Sequence, residues 1–324
     1  MRSTAIGRVV TLVLGLLVIP LAAGAQQSDK IYRIGFLRLG PPPATWFENL
    51  QAGLRELGYV EGQNLVFEYG IAETPAQLPE IAADLLRRKI DVLFASGTPS
   101  VLPARNATNT IPVVFVASID PIASGVVQSL ARPGGNVTGL TSMYADVIGK
   151  RIELLQELLS RKLTRVAVLA RDHPGHVKYV REAKVAARAL GVSLQVLIVR
   201  DARELDDAFS AARGASAVLQ LDDALFTSHR IRVAELALKY RLPAMVGHRE
   251  LVEAGGLVAY GAHYPYLYRR SASLVDKILK GTKPGNLPVE QPPKFELVLN
   301  LRTAKELGLT IPPSLLSEAD ELIE

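Results

Sequence analysis

The chain has 324 residues and a net charge of +5, from 37 basic and 32 acidic side chains. It contains no cysteine, which excludes disulfide bonds, thiolate nucleophiles and thiolate metal ligands. The basic excess is small and spread along the chain, so the composition argues against a nucleic-acid partner.

The first 25 residues are typical of a signal peptide. Arg2 and Arg8 precede an apolar run over residues 9–23, and small residues lead to Ala25, where we expect cleavage. The alternative is an uncleaved membrane anchor, but the run is shorter than the ~20 apolar residues that a span needs. Without both arginines the count is 35 basic and 32 acidic side chains, a net charge of +3. Since lipid attachment needs a cysteine at the cleavage point, we expect a periplasmic protein that is not lipid-anchored.

Beyond residue 30, short β-branched runs alternate with helical patterns, which is typical of parallel sheets built from βαβ units. In the first half, the predicted strands are 31–37, 65–69, 92–95 and 113–116, and the predicted helices are 46–57, 77–88 and 100–108. In the second half, the predicted strands are 165–170, 194–199, 217–221, 244–246 and 257–260, and the predicted helices are 177–190, 204–213 and 228–240. The pattern therefore predicts an α/β protein with two similar lobes.

Three sequence markers support this duplication, because each recurs in the second half at offsets of 133, 131 and 121 residues. The marker pairs are Leu57-Gly58 and Leu190-Gly191, Ile111-Pro112 and Leu242-Pro243, and Gly134-Gly135 and Gly255-Gly256. Extended stretches at 136–142 and 257–262 and a proline-rich segment at 284–293 are predicted to connect the lobes. A helix is predicted at 266–280, and a strand at 295–300 with helices after it. We expect an N-terminal lobe of residues 31–140 plus about 264–285, and a C-terminal lobe of 141–263 plus about 286–324.

The motifs of the common enzyme classes are missing from the sequence. Gly149-Lys150 lacks the other residues of a P-loop, no G-x-G-x-x-G follows the first strand, and no G-x-S-x-G occurs. The pair His173 and His176 is predicted to lie in a surface turn and not in a metal site. We therefore expect no catalytic residues, no metal and no cofactor.

Polar and small residues follow the predicted strands at their carboxyl ends, which is where open α/β sheets bind ligands. The candidate ligand-binding residues are Leu39, Gly40, Trp46, Ser96, Gly97, Thr98, Ala117, Ser118, Asp120, Thr141, Ser142, Arg171, Asp172, Asp222, Asp223, Gly247 and Tyr260.

Several of these residues have a second interpretation. Thr98 could cap a helix that starts at Pro99, and the helix start could equally bind a carboxylate. Asp120 fits a helix cap better than a ligand contact, and only one of Asp222 and Asp223 is expected to hold a ligand ammonium, since the other can cap the next helix. Arg171 could grip a carboxylate, and Trp46 could cover a ligand or serve packing.

Several phrases of the sequence resemble the TrpX-type ABC transporter substrate-binding protein family. They are SLARPGGNVTG at 129–139, IPVVF at 111–115, Asp120-Pro121, and a long tail with GGL at 255–257, KILKG at 277–281, LPVEQ at 287–291 and NLRTAKELGLTIPPSLL at 300–316. The resemblance covers the whole mature chain.

The resemblance implies a type I periplasmic binding protein, in which two Rossmann-like lobes with parallel sheets are joined by three crossings and close on a ligand. It implies delivery of a small solute to an ABC permease in the inner membrane. The predicted pairing of a helix start at 96–100 with Asp222 favours an amino acid or an aromatic carboxylate as that solute. A monomer is expected. The alternative functions are a periplasmic ligand sensor and an enzyme on the same scaffold.

Overall fold

A computed structural model describes residues 30–144, 146–159, 163–172 and 174–324. The predicted signal peptide, residues 1–25, lies outside the described residues, as does His173. In the part of the chain that is described, no helix is long and apolar enough to cross a membrane.

The described strands form two sheets, one in each of two lobes of a single compact unit, Ile31–Glu324. The strands are β1 Tyr32–Leu39, β2 Leu65–Ala72, β3 Val92–Ser96, β4 Val113–Ser118, β5 Val137–Thr141, β6 Arg165–Ala170, β7 Ser193–Ile198, β8 Ala217–Gln220, β9 Ala244–Val246, β10 Val258–Ala262, β11 Phe295–Asn300 and β12 Glu321–Ile323. The first lobe contains a five-stranded sheet in the order β2-β1-β3-β4-β5, and the second contains a seven-stranded sheet in the order β12-β11-β10-β9-β8-β6-β7.

Helices cover the faces of both sheets. They are α1 Ala44–Glu56, α2 Leu78–Arg87, α3 Thr98–Ala107, α4 Ile148–Leu158, α5 Pro174–Ala189, α6 Leu205–Ala211, α7 Ala224–Ser228, α8 Arg230–Lys239, α9 Arg249–Glu253, α10 Tyr264–Leu279, α11 Leu301–Leu307 and α12 Pro313–Glu318. Single 3₁₀ turns lie at Pro75–Gln77, Ala202–Glu204 and Pro284–Asn286.

Strand direction and burial agree with a doubly covered α/β sheet. Every residue of β3 and β4 is buried, as expected for parallel strands with helices on both faces. All strand pairs are parallel except β10 with β11, which run antiparallel. The structure therefore has the α/β fold with two parallel-sheet lobes that the sequence predicts.

The chain passes between the lobes three times. β5 belongs to the first sheet, and α4, which follows it, packs on α5 of the second lobe. After β10 in the second sheet, α10 packs on α1 and β4 of the first lobe, and β11 then returns to pair with β10. The carboxyl ends of β1, β3, β4 and β8 face the space between the lobes, where residues at or after these ends line a cavity, and Arg171 after β6 lines a neighbouring groove.

The predicted elements are present with small shifts of their ends, and β6, β9 and β11 have the predicted bounds. Four further elements appear that the sequence patterns did not predict, namely α4, α7, α9 and β12. Two of them, α7 and α9, have only five residues, which is less than two helical turns and too short for a repeating apolar pattern.

Candidate functional site

A small cavity lies between the two lobes. Its volume is about 20 Å³, room for about one water molecule. The first lobe lines it with Arg38, Trp46, Gly97, Thr98, Pro99, Ala117 and Ile119, and the second lobe with Asp222, Asp223, Ala224 and Thr227, together with Tyr264 at the start of α10.

The most unusual residue on this cavity is Arg38, at the end of β1. Its side chain is 2 % exposed. Nη1 donates to Ser96 Oγ at 3.1 Å, but Nε and Nη2 have no hydrogen-bond partner among the described residues. These two nitrogens lie on one edge of the guanidinium plane, the edge that binds a carboxylate through two parallel hydrogen bonds. A buried unpaired guanidinium edge is costly, so it indicates a site for an anionic group.

Two neighbours hold Arg38 in place. Ser96 Oγ, which accepts from Arg38, is also hydrogen-bonded to Tyr268 OH of α10. The Trp46 ring lies below the guanidinium, with its centroid 5.2 Å from Cζ, so a cation–π contact orients the plane.

The start of α3 adds positive potential beside Arg38. The helix begins at Thr98, one residue earlier than predicted, and its N-cap is Gly97, which has φ +78° and no side chain to cap the first turn. The predicted capping role of Thr98 is therefore wrong, because its Oγ1 instead accepts from Ile119 N at 3.0 Å and ties α3 to the end of β4. The helix start lies on the cavity with the positive end of its dipole, although Pro99 has no N–H and Ser100 N donates to the Gly97 carbonyl oxygen.

Asp222 is the acidic residue on the opposite wall. Tyr264 OH donates to its Oδ2 at 2.5 Å, and His248 Nε2 lies 3.6 Å from Oδ1. Burial raises the pKa of Asp222, although His248 and Tyr264 oppose this effect. The side chain keeps acceptor capacity for a donor in the cavity, since a carboxylate can accept about four hydrogen bonds.

Asp223 has a structural role. It is the N-cap of α7 and accepts from Leu225 N at 2.8 Å, and it lies 3.4 Å from Arg171 Nε. Arg171 also donates to the carbonyl oxygens of Val199 and Arg200. Arg171 was predicted to bind a ligand carboxylate, but its observed partners are Asp223 and two backbone carbonyl oxygens.

Trp46 connects the two lobes. It is 1 % exposed, stacks on Tyr264 with centroids 4.4 Å apart, and donates from Nε1 to Glu250 Oε1 of α9. Glu250 Oε2 in turn lies 2.8 Å from His248 Nδ1. Burial alone would raise the pKa of Glu250, but the hydrogen bonds from His248 and Trp46 outweigh burial and lower it. The Trp46 ring therefore packs against Tyr264 and Arg38 in the wall between the lobes, and it does not cover the mouth of the cavity.

The two lobes are in direct contact at the opening of the space between them, which we call the mouth. Gly40 lies so close to α7 that a Cβ on it would be 2.3 Å from Ser228 Oγ, so only glycine permits this approach. Leu39 and Gly40 line a groove of about 720 Å³ between the lobes, together with Arg171 and residues of α7. Across the mouth, Lys178 Nζ of α5 donates to Asp120 Oδ2 at 2.6 Å.

Asp120 also accepts from Ile122 N and Ala123 N, so it caps the turn that follows β4. Burial would raise the pKa of Asp120, but the N–H of Ala123 and the Lys178 ammonium outweigh burial and lower it. Asp120 therefore serves as a turn cap and as an interlobe ion pair.

The other predicted residues support the walls or lie elsewhere. Ala117 lines the cavity, and Ser118 is buried beside it. The hydroxyls of Thr141 and Ser142 donate to the Ser118 carbonyl oxygen at 2.8 and 3.3 Å. Asp172 points away from the cavity, because its side chain is 73 % exposed and lies 3.9 Å from Arg200.

Gly247 and Tyr260 lie behind the cavity. Their carbonyl oxygens accept from the buried Arg151 of α4, at 3.0 and 2.7 Å. Gly247 still matters for the site, because a Cβ on it would be 3.0 Å from Asp222 Oδ1.

Two residues were missed or misplaced by the sequence patterns. Arg38 was missed because the predicted first strand ended at Leu37, although an arginine in an apolar strand was an available signal. His176 was predicted in a surface turn, but it is 1 % exposed, accepts from Arg171 N through Nδ1, and lies with Nε2 3.0 Å from the Asp222 carbonyl oxygen. In the described residues, no group of three histidine, cysteine, aspartate or glutamate side chains could hold a metal ion.

Comparisons with known proteins agree on one family. A family model described as ABC transporter substrate binding protein matches residues 43–323. A tyrosine-binding protein of Clostridioides difficile is 28 % identical over 297 residues, which cover 87 % of this chain and 83 % of that protein.

Solved structures agree with this result. A conserved domain protein from Vibrio cholerae is 28 % identical with a TM-score of 0.86, covering 90 % of this chain and all of that one. An ABC domain from Streptococcus pneumonia in complex with L-Trp is 25 % identical with a TM-score of 0.84, covering 91 % and 100 %. A ligand-free, open substrate-binding protein from Clostridium difficile, also 25 % identical and covering 90 % and 99 %, has a TM-score of 0.64.

Proposed function

Because the chain belongs to the ABC transporter substrate-binding protein family, we propose that it captures a small carboxylate-bearing solute between its lobes and delivers it to the permease of an ABC importer. The proposal places the protein in the periplasm, in line with the signal-peptide pattern of residues 1–25. It also assigns no catalytic step, since the relatives are solute-binding proteins.

The observation that carries this proposal is the free edge of Arg38. Nε and Nη2 are buried on the interlobe cavity without a partner among the described residues, and the uncapped start of α3 lies beside them. A solute carboxylate would fill both positions, with two charge-assisted hydrogen bonds and a favourable interaction with the helix dipole.

The opposite wall favours a solute that also carries an ammonium group. Asp222 lies on the same cavity as Arg38 and offers carboxylate oxygens. An α-amino acid has both charges a short distance apart, so it can contact both lobes at once. An aromatic amino acid is favoured by the aromatic rings of Trp46 and Tyr264 on the cavity. It is also favoured by the relatives, one a tyrosine-binding protein and one solved with L-Trp.

The lobe arrangement supports capture by closure. Trp46 and Glu250, and Lys178 and Asp120, join the lobes by hydrogen bonds. The chain fits the L-Trp complex better than the open, ligand-free relative, although both are equally distant in sequence. Because the cavity here has room for only about one water molecule, an amino acid would bind with the lobes further apart and would stabilise a closed form that is less tightly shut than this one.

A thermal-shift screen tests the proposal with matched solutes. The pairs are L-tryptophan with L-tryptophanamide, and L-tyrosine with tyramine, followed by other amino acids and aromatic acids with their amides. Since binding to the folded state raises the melting temperature, a carboxylate solute should raise it, and its partner without the carboxylate should not. The proposal fails if no carboxylate solute shifts the melting temperature, or if the amides shift it equally.

A further inference from the structure

A second pocket lies around β11, away from the interlobe cavity. Its volume is about 570 Å³, within the range of small-molecule sites. We call it the β11 pocket. It is lined by Arg249, His263, Tyr266, Leu267, Pro292, Pro293, Lys294, Glu296, Asp320 and Glu321. It shares no lining residue with the interlobe cavity.

The most deeply buried charged group in the β11 pocket is Glu296, which is 7 % exposed. Its Oε1 is buried without a hydrogen-bond partner among the described residues. The nearest basic group to its carboxylate is Arg249, with Nη1 at 3.6 Å from Oε2, a distance too long for a good hydrogen bond. A carboxylate in this position is undersatisfied, because a buried charge needs a partner and hydrogen bonds.

The basic neighbours of Glu296 are engaged elsewhere. Arg249 donates to Glu253 at 3.0 Å and to Glu321 at 2.5 Å, and Lys294 donates to Asp320 at 3.0 Å. The lining therefore contains three carboxylates and two basic side chains, so a cation is favoured.

We propose that the β11 pocket binds a small organic ammonium ion, whose charged head lies against Glu296 and whose apolar part lies along Pro292 and Pro293. An ammonium has three donors for the Glu296 carboxylate, and the two proline side chains offer apolar surface to a short alkyl chain. An anion would meet the unpartnered carboxylate and is disfavoured.

The titration of Glu296 gives this site a characteristic pH dependence. Burial raises the pKa of Glu296 to about 7, because the charge of Arg249 does not outweigh desolvation and the nearby carboxylates. The charged and titratable groups around it are Arg249 and Glu250 on α9, His263 and Tyr266 at the start of α10, Lys294 before β11, and Asp320 and Glu321 at the C-terminal end. Burial and the charge of Arg249 lower the pKa of His263.

Only the ionised form of Glu296 attracts the cation. With a pKa of about 7, the ionised fraction is roughly one tenth at pH 6 and nine tenths at pH 8, so affinity should rise about tenfold over this interval. An ammonium with an ordinary alkylamine pKa stays cationic throughout.

Calorimetric titration with n-butylammonium chloride in phosphate buffer tests the proposal. We expect saturable binding at pH 8, binding about tenfold weaker at pH 6, and no comparable binding of n-butanol. Glu296→Gln keeps the side-chain size and should lower the affinity about tenfold or more, since it removes a charged acceptor.

Two control variants locate the effect. Glu306→Gln, at an exposed glutamate of α11, should leave butylammonium binding unchanged, and Asp222→Asn reports any binding of the probe at the interlobe cavity. The proposal is overturned if the wild type shows no saturable binding, if Glu296→Gln binds as well as the wild type, or if Asp222→Asn is the variant that loses binding. These results do not depend on which solute the interlobe cavity holds.

Discussion

Replacing Arg38 with methionine should remove the preference for carboxylate solutes. The substitution keeps an apolar chain over Trp46 but deletes the Nε and Nη2 donors. Each hydrogen bond to a charged group contributes about 1.5–3 kcal/mol, so two of them at the lower value give about 3 kcal/mol, or about 100-fold in Kd. Arg38→Lys keeps the positive charge but loses the planar guanidinium, so its Kd for the carboxylate solute should lie between those of the wild type and Arg38→Met.

Calorimetry with a carboxylate solute from the screen and its amide measures this effect. Lys178→Met is the matched control, because it also removes one positive charge, but from the cleft mouth. An ion pair with this exposure contributes less than about 1 kcal/mol and does not distinguish the two solutes. The reasoning is refuted if Arg38→Met weakens acid and amide equally, or if it leaves the acid within about threefold of wild type.

Three further predictions concern the walls. Glu250→Ala leaves the buried donor of Trp46 without an acceptor and should lower the free energy of unfolding, measured by urea denaturation, by about 1–3 kcal/mol. The control Glu253→Ala should change it by less than about 0.5 kcal/mol. Equal losses in the two variants would contradict this prediction. Asp223→Ala should cost about 0.5–2 kcal/mol of unfolding free energy through loss of the α7 cap, and an unchanged midpoint would argue against the cap. Since the pKa of Asp120 is lowered in the folded state, its contribution to stability is complete above the ordinary aspartate pKa of about 3.9 and is lost as the pH falls through the lowered value. The stability difference between wild type and Asp120→Asn should therefore shrink below about pH 4, and a difference that grows there would reverse the assignment.

The sequence predicted the sheets well because each strand carries its own signal. The apolar runs 113–117 of β4 and 166–170 of β6 are buried on both faces, so the local pattern is enough. The short helix α9 had no such signal, yet it supplies Glu250 to the contact between the lobes.

The candidate site was harder to predict, because its contacts join distant parts of the chain. Trp46 and Glu250 are 204 residues apart, and their hydrogen bond depends on how the lobes meet. The choice between Asp222 and Asp223 needed the position of α7, because both line the cavity and only Asp223 caps the start of this helix. The polar residues that follow the strands marked the correct edge of each sheet. They did not show which side chains face the space between the lobes.

The contact of Trp46 with Glu250 also has a spectroscopic consequence. Trp46 is the single tryptophan of the chain, so the indole fluorescence comes from one buried ring between the lobes. Separation of the lobes would expose this ring to water and shift its emission to longer wavelength. The unlabelled protein therefore carries an optical reporter of its own opening, and a solute can be titrated against it without any added dye.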